Sequence, residues 1–292
     1  MRLLVTGGSG FLGCHVLREA ARRGHRAVAL TRSPAAARAV TACGAQPLAG
    51  DLGQPRLLDA AFAAAGCEAL LSLASLGFGH GPAIVAAAEE AGIQRAVFVS
   101  TTAVTTSLDP PAKQIRLAAE QQIRCCGLAW TILRPTMIYG APGDRNLSRL
   151  LALLKRARIL PVPGDGRCLH QPVHVADAAG AVLAAVERPA SIGRIYDVAG
   201  PEPLPFADLL RACAGAVGST TRFVPVPLAP MIAVARVHQR LSRHPRIKAE
   251  QLQRLGEDKA FAIGQAIADL GYAPRPFHEG IREQARALGL AA

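Results

Sequence analysis

The sequence predicts an α/β chain built on a doubly wound parallel sheet, with a smaller C-terminal lobe. Two observations carry most of this. Short apolar runs alternate with helical segments closed by glycine, the pattern of strands joined by crossover helices. Half of the 292 residues are hydrophobic but only 4% are aromatic, so Ala, Leu, Val and Ile must build a core suited to strands covered on both faces. The third observation is a glycine-spaced turn between the first apolar run and the first helix.

Taken in order, Arg2-Leu3-Leu4-Val5 reads as a strand, and Thr6-Gly7-Gly8-Ser9-Gly10 as a turn. A helix then runs through Arg23, Gly24 ends it, and Ala27–Leu30 is the second strand, completing a βαβ unit. A short run at Gln46-Pro47-Leu48 precedes a helix over Pro55–Ala65, a strand over Ala69–Leu73 and a helix over Pro82–Ala91 closed by Gly92. Strand Ala96–Ser100, helix Ala112–Cys126 with Gly127 after it, and strand Trp130–Leu133 continue the alternation. Beyond Pro135 the pattern is broken by Pro and Gly, with helices near 146–157 and 176–187 and a strand over Arg194–Val198 that rejoins the sheet. Helices over 206–217 and 246–256 follow. The expected division is residues 1–200 as the cofactor domain, with lobe insertions around 141–172, and residues 201–292 as the smaller lobe. The lobe closes over the carboxyl ends of the strands, where open α/β sheets bind ligands.

The formal charge of +12 comes from 33 basic against 21 acidic residues, and only four of the basic ones are lysines. The arginines are dispersed and no nucleic-acid-binding motif accompanies them, so a nucleic-acid partner is not expected. A positive field that draws in anionic nucleotides, or Arg-rich coding alone, accounts for the charge. The seven cysteines (14, 43, 67, 125, 126, 168 and 213) show neither CxxC spacing nor a His cluster. They read as buried free thiols, with Cys125-Cys126 in the core; no metal site is expected. Met1-Arg2 leads straight into a strand without a signal-like segment, which predicts a cytoplasmic protein. The longest apolar run, 223–235, is thirteen residues with three prolines, short of the roughly 20 that a membrane span needs. Arg236, Arg240, Arg243, His244 and Arg246 follow it, so peripheral membrane contact over 223–246 stands beside the plainer reading of a lobe helix with a solvated face.

Gly7, Gly10 and Gly13 stand after a strand and open a helix, the context in which such glycines admit a dinucleotide pyrophosphate. Nineteen residues past Gly13, where an acid would hold a ribose 2′-hydroxyl, the chain has Thr31-Arg32-Ser33. A guanidinium there suits a 2′-phosphate, which predicts NADP over NAD, unless Arg32 is only a surface residue. Asp51 follows the next short strand, placed either to bond the adenine amino group or to cap the helix near Pro55.

These segments, together with Ala118-Ala119-Glu120, Leu133-Arg134-Pro135, Ile138-Tyr139-Gly140, Val173–Asp177 and Asp269–Pro274, resemble the extended or atypical short-chain dehydrogenase/reductases, the superfamily of nucleotide-sugar epimerases and dehydratases. The resemblance spans nearly the whole chain. It implies a Rossmann sheet, with cofactor contacts along Gly7, Gly10, Phe11, Leu12, Gly13, Thr31, Arg32, Asp51, Leu52, Ala74 and Pro135. It also implies a small-molecule substrate, a nucleotide sugar or another carbonyl compound, and a homodimer as one arrangement. The family's catalytic Ser or Thr falls on Thr102, but its Tyr falls on Ala112 and its Lys on Arg116. Tyr139, Tyr196 and Tyr272 lie in other motifs. Thr102 can bond a carbonyl oxygen or merely end a strand. Lys113, beside the vacant position, is either a general acid or a solvated first-turn residue. Arg116 can hold the nicotinamide ribose. His170 stands where sugar-modifying relatives carry an Arg, and His174 reads as structural. Two functions remain open: an NADP(H)-dependent oxidoreductase or epimerase, and a non-catalytic NADP(H)-binding redox sensor or assembly protein.

Overall fold

The computed structural model describes residues 1–241 and 249–291. The first half alternates as expected: β1 (Arg2–Thr6), α1 (Phe11–Arg22), β2 (Arg26–Thr31), α2 (Pro34–Thr41), β3 (Gln46–Ala49), α3 (Pro55–Ala65), β4 (Ala69–Ser72), α4 (Gly81–Glu90), β5 (Arg95–Val99), α5 (Pro111–Cys125) and β6 (Ala129–Pro135). Then come β7 (Ile138–Tyr139), α6 (Leu147–Leu154), β8 (Ile159–Pro163), β9 (Leu169–His170), β10 (Val173–His174), α7 (Val175–Glu187), β11 (Arg194–Val198), β12 (Leu204–Pro205) and α8 (Phe206–Ala216). The chain closes with β13 (Arg222–Val226), α9 (Leu228–Leu241), α10 (Ala249–Leu255), α11 (Gly264–Leu270) and α12 (Phe277–Ala287). Helix α2, absent from the sequence reading, starts at Ser33, whose hydroxyl accepts from the Ala36 N–H, with Pro34 in its first turn.

Seven strands form one sheet in the order β11-β6-β5-β4-β1-β2-β3, with every neighbouring pair parallel. Because side chains alternate across a strand, one sequence feeds two layers. Leu3, Val5, Ala27, Ala29, Val97 and Val99 enter the layer of α1 and α7. Leu4, Val28, Leu30, Ala96 and Phe98 enter the layer of α3, α4 and α5. The alanines of α7 let it lie close along α1, so most of its surface is buried.

The lobe has its own core, in which α6, α8 and α12 gather around Tyr139. Its strands pair in twos: β7 with β10, β9 with β12, β8 with β13. Helices α9 and α10 form a small cluster around Ala235 and Leu252. After them the chain returns to the first layer, where Ile263, Ala266, Leu270 and Tyr272 pack with α1 and α7. Two hydrogen bonds fix that return, from Tyr196 Oη to Asp269 (2.8 Å) and from Tyr272 Oη to the Ala199 carbonyl (2.7 Å).

Two expectations need correction. The run 223–235 is not one segment, because Pro227 separates a strand paired with β8 from helix α9. Arg243, His244 and Arg246 lie outside the described residues. The cysteines are free, yet only Cys43 and Cys213 are buried, and Cys125 is exposed because it faces away from the buried stripe of Ala119, Glu120 and Ile123 on α5. No helix among the described residues is long and apolar enough to cross a membrane.

Candidate functional site

Strand β1 delivers the chain into the glycine turn at the carboxyl edge of the sheet. Gly7 has φ +71°, and a methyl on it would lie 2.7 Å from the Ala74 nitrogen, so the turn closes directly against the end of β4. Gly10 N–H donates to the Gly7 carbonyl (3.0 Å). A methyl on Gly13 would overlap the carbonyls of Gly7 and Gly8, so only glycine lets α1 begin this close to the turn. No side chain caps α1 at Gly10, and the N–H groups of Phe11 and Leu12, ahead of the first intrahelical bond from Cys14 N–H to the Gly10 carbonyl (3.0 Å), are left for a ligand. This cradle, which a Cβ would fill, fits a dinucleotide pyrophosphate.

Next to it, at the ends of β2 and β3, lies a hollow of about 420 Å³ lined by Thr31, Arg32, Ser33, Gly50, Asp51 and Gln54, among others. Its floor is set by Thr31, whose hydroxyl donates to the Leu48 carbonyl (3.3 Å). Asp51 accepts from the Gly53 N–H (2.9 Å) and does not cap α3, whose N-cap residue, Gln54, makes no side-chain capping bond. Leu52 packs on the second layer beneath, and Leu12 on the first. Residues placed far apart in sequence as cofactor contacts therefore line adjoining parts of one edge of the sheet.

The reacting end of that edge is formed by β5 and β6. Thr102, 8% exposed, donates weakly to the Pro135 carbonyl (3.4 Å), which ties the two strand ends together. Two residues earlier, Ser100 Oγ is buried without a hydrogen-bond partner among the described residues. Arg116 lies across the short 3-10 segment 76–78, where a methyl on Gly77 would lie 2.9 Å from its Nη2. Lys113, in contrast, turns back into its own loop, where Nζ donates to the carbonyls of Thr106 (2.6 Å) and Leu108 (3.3 Å). Ala112 leaves the phenol position empty. Tyr139, Tyr196 and Tyr272 are all buried, with burial the main cause raising each phenol above its ordinary pKa.

A strap from the lobe crosses this region, and no sequence signal points to it. Glu257 accepts from Thr106 Oγ1 (2.6 Å), the Ser107 N–H (2.9 Å) and the Ser107 hydroxyl. Burial opposes its charge, but the bonds from Ser107 and Thr106 hold its carboxyl below the usual range. On the other side of the strap, Leu169 N–H donates to Asp258 (2.8 Å) and Lys259 N–H to the Leu169 carbonyl (2.8 Å). Glu257 meets partners 150 and 151 positions away, which no local spacing can reveal.

His170 is 5% exposed, stacks on Phe206 at 4.9 Å and bonds the Cys168 carbonyl through Nδ1. Burial, aided by Lys259, lowers its pKa to about 4, so its ring is neutral at pH 7. His174 is structural: Nδ1 accepts from the Ala176 N–H (3.3 Å) to cap α7, and the ring meets Tyr139 edge-on at 5.4 Å. Asp177 grips Arg275 (2.9 Å), and Glu120 pairs with Arg134 under the sheet.

Residues 7–157 match the family described as NAD(P)H-binding. A farnesyl-dihydroquinoline-oxide ketoreductase of Stigmatella aurantiaca is 30% identical, over all of this chain and 97% of its own. A 2-alkyl-3-oxoalkanoate reductase of Stenotrophomonas maltophilia (strain K279a) is 27% identical, over 97% of this chain and 98% of its own. The UDP-glucose 4-epimerase of Thermotoga maritima, solved with UDP-glucose, has the same fold, with a TM-score of 0.78 at 17% identity over 99% of both chains.

Proposed function

Since the chain belongs to the NAD(P)H-binding family, among the atypical short-chain dehydrogenase/reductases, we propose that it is an NADPH-dependent reductase of a ketone on a substrate with a long apolar part. The observation that carries this reading is Thr102, a hydroxyl at the end of β5 on the same sheet edge as the glycine turn, with no strong bond of its own. Likeness over nearly full length to two ketone-reducing enzymes, whose names specify farnesyl and alkyl groups, supports the substrate class. The neutral, stacked imidazole of His170 supports a substrate other than a nucleotide sugar, because it brings no charge to a diphosphate. Arg32 supports NADPH over NADH.

NADPH, which the glycine turn at Gly7–Gly13 and the hollow around Arg32 would hold, would supply a hydride when bound. Thr102 Oγ donates a hydrogen bond to the ketone oxygen and orients it, and Arg116 holds the ribose and adds positive charge where negative charge develops. The guanidinium is too weak an acid to give up a proton. With Lys113 bound to two loop carbonyls, the proton comes from water. Ser100, with a free buried hydroxyl, stands two residues from Thr102 to order that water.

The test follows NADPH consumption with long-chain ketones. Thr102→Val keeps the shape and removes the hydroxyl, and should lower kcat by about 10²–10³-fold with NADPH affinity unchanged. Full activity in that variant would remove Thr102 from the mechanism. The empty phenol position at Ala112 is the one observation favouring the other reading, a non-catalytic NADP(H)-binding sensor or assembly protein; NADPH binding without turnover of any ketone or nucleotide sugar would select it.

A further inference from the structure

A hollow of about 660 Å³ opens beside the glycine turn, between α1 and the chain that follows β7. Ser9, Gly10 and Phe11 form its inner end, so it runs directly into the cradle at the start of α1. From α1 it is lined by His15 and Arg18, and from the lobe by the loop 142–146, which carries Arg145. Positions 11, 15 and 18 share one face of the helix, and helical side chains lean toward the N-terminus, so Arg18 leans toward the free N–H groups of Phe11 and Leu12. Arg145 stands on a fixed base. Asp144, 6% exposed, accepts from the N–H groups of Asn146 (2.8 Å), Leu147 (3.0 Å) and Ser148 (3.1 Å) and from Gln284 Nε2 (2.9 Å). The loop also rests on α1, where a methyl on Gly143 would lie 3.6 Å from the Phe11 ring.

The charges of this hollow are unbalanced. Asp144 is the one acid among the described residues lining it, and its carboxylate is taken up by the start of α6 and by Gln284. His15 adds no charge at pH 7, because burial and then the neighbouring Arg18 lower its pKa. Two guanidiniums remain, Arg18 and Arg145, neither with an ion pair among the described residues, and α1 has no acid in its first turn. The glycine turn offers only N–H dipoles, whereas the pyrophosphate of a dinucleotide brings two negative charges to the same place. We propose that Arg18 and Arg145 supply the counter-charge for that pyrophosphate, one from the cofactor domain and one from the lobe. The inference rests on the reading of the glycine turn as a dinucleotide site and is independent of the ketone. It gives the two arginines a task separate from that of Arg32, which meets a group that only NADPH carries. A bound cofactor thereby ties the lobe loop to α1.

The experiment titrates the full chain with NADPH and with NADH by fluorescence at low salt. Arg18→Gln and Arg145→Gln should each raise the dissociation constant about 3–10-fold, and the two together about 10–100-fold, by the same factor for both cofactors. That equality separates them from Arg32→Ala, which should weaken NADPH alone. The losses should shrink as salt rises. Displacement of NADPH by adenosine 2′-phosphate, which keeps the phosphate that Arg32 meets and lacks the pyrophosphate, should need the same concentration relative to its own affinity, with that affinity unchanged in the double Gln variant. Lys at both positions keeps the charge and should retain most of the cofactor affinity. A double Gln variant within about twofold of the wild type for both cofactors, a Lys pair as weak as the Gln pair, or adenosine 2′-phosphate weakened as much as the cofactors overturns the inference and leaves the dinucleotide reading standing. If the wild type binds neither cofactor, the dinucleotide reading itself falls, and the inference with it.

Discussion

Removing the charge of Arg32 is the most direct perturbation of cofactor choice. Among the described residues lining the hollow at the ends of β2 and β3, Arg32 is the only cation and Asp51 the only anion. The Ser33 hydroxyl is engaged by the Ala36 N–H, so it offers little to a ligand. Arg32→Ala therefore leaves a 2′-phosphate facing the Asp51 carboxylate with nothing to offset it. A bidentate guanidinium–phosphate contact is worth about 1.5–3 kcal/mol, and solvent reaching this open hollow reduces that to roughly 1–2 kcal/mol. The dissociation constant for NADPH should rise about 5–30-fold, while that for NADH, which has no phosphate there, should change by less than about threefold. Titration of both cofactors by fluorescence at low and high salt measures this, and the NADPH advantage of the wild type should shrink as salt rises. Equal affinity of the wild type for both cofactors, or an Arg32→Ala variant that still prefers NADPH, refutes the assignment.

The turn glycines should divide by geometry. Gly13→Ala, whose methyl meets the Gly7 and Gly8 carbonyls, should lose NADPH binding and fall in Tm, whereas Gly10→Val, whose nearest neighbour is the Gly7 oxygen at 3.2 Å, should lose binding with much of its Tm retained. Lys113→Ala should slow turnover less than tenfold and lower Tm by about 2–4 °C, because the ammonium supports a loop; a hundredfold loss at unchanged Tm would make it the proton donor after all. His170 takes up a proton only near pH 4 when folded but near 6.5 when unfolded, so the unfolded chain binds more protons in between and stability falls as pH drops from 6.5 toward 4. Over that window the loss is about 3 kcal/mol, and His170→Gln should flatten the curve; denaturant melts at pH 7 and 5 that shift equally in both proteins would exclude it.

The cofactor half was legible because each strand there is an apolar run bounded by a turn, and each side of the sheet draws on alternate residues of it. Leu3 and Leu4 are neighbours in sequence and lie in different layers, a placement that a buried parallel strand implies by itself. The lobe was less readable. Its paired strands are as short as two residues, too brief for any periodicity, and α12 buries little more than Phe277, Gly280, Ile281 and Ala285 along with a polar Gln284. That Gln284 donates to Asp144 (2.9 Å) and Ser148 (2.9 Å), partners that only the folded chain brings near. At the site, Thr102 and the glycine turn could be found from spacing. The direction taken by the Lys113 ammonium could not, since it depends on where the carbonyls of Thr106 and Leu108 point.

The return of the chain to the first layer at Ile263–Tyr272 bears on how the protein is made. As the ribosome releases the chain, all seven sheet strands have emerged once Val198 is clear, yet Tyr196 and the Ala199 carbonyl still lack the partners they find at Asp269 and Tyr272. The lobe is synthesised while that flank lies open, and the outer faces of α7 and β11 stay wet until the segment holding Ala266 and Leu270 arrives. At about 5–20 residues per second, the nascent chain spends roughly 4–15 s with an almost finished nucleotide-binding core that its own tail has yet to seal. A chaperone that shields apolar surface during this interval should raise the yield of active protein, and a ribosome stalled before residue 263 should display a sheet that proteases still open.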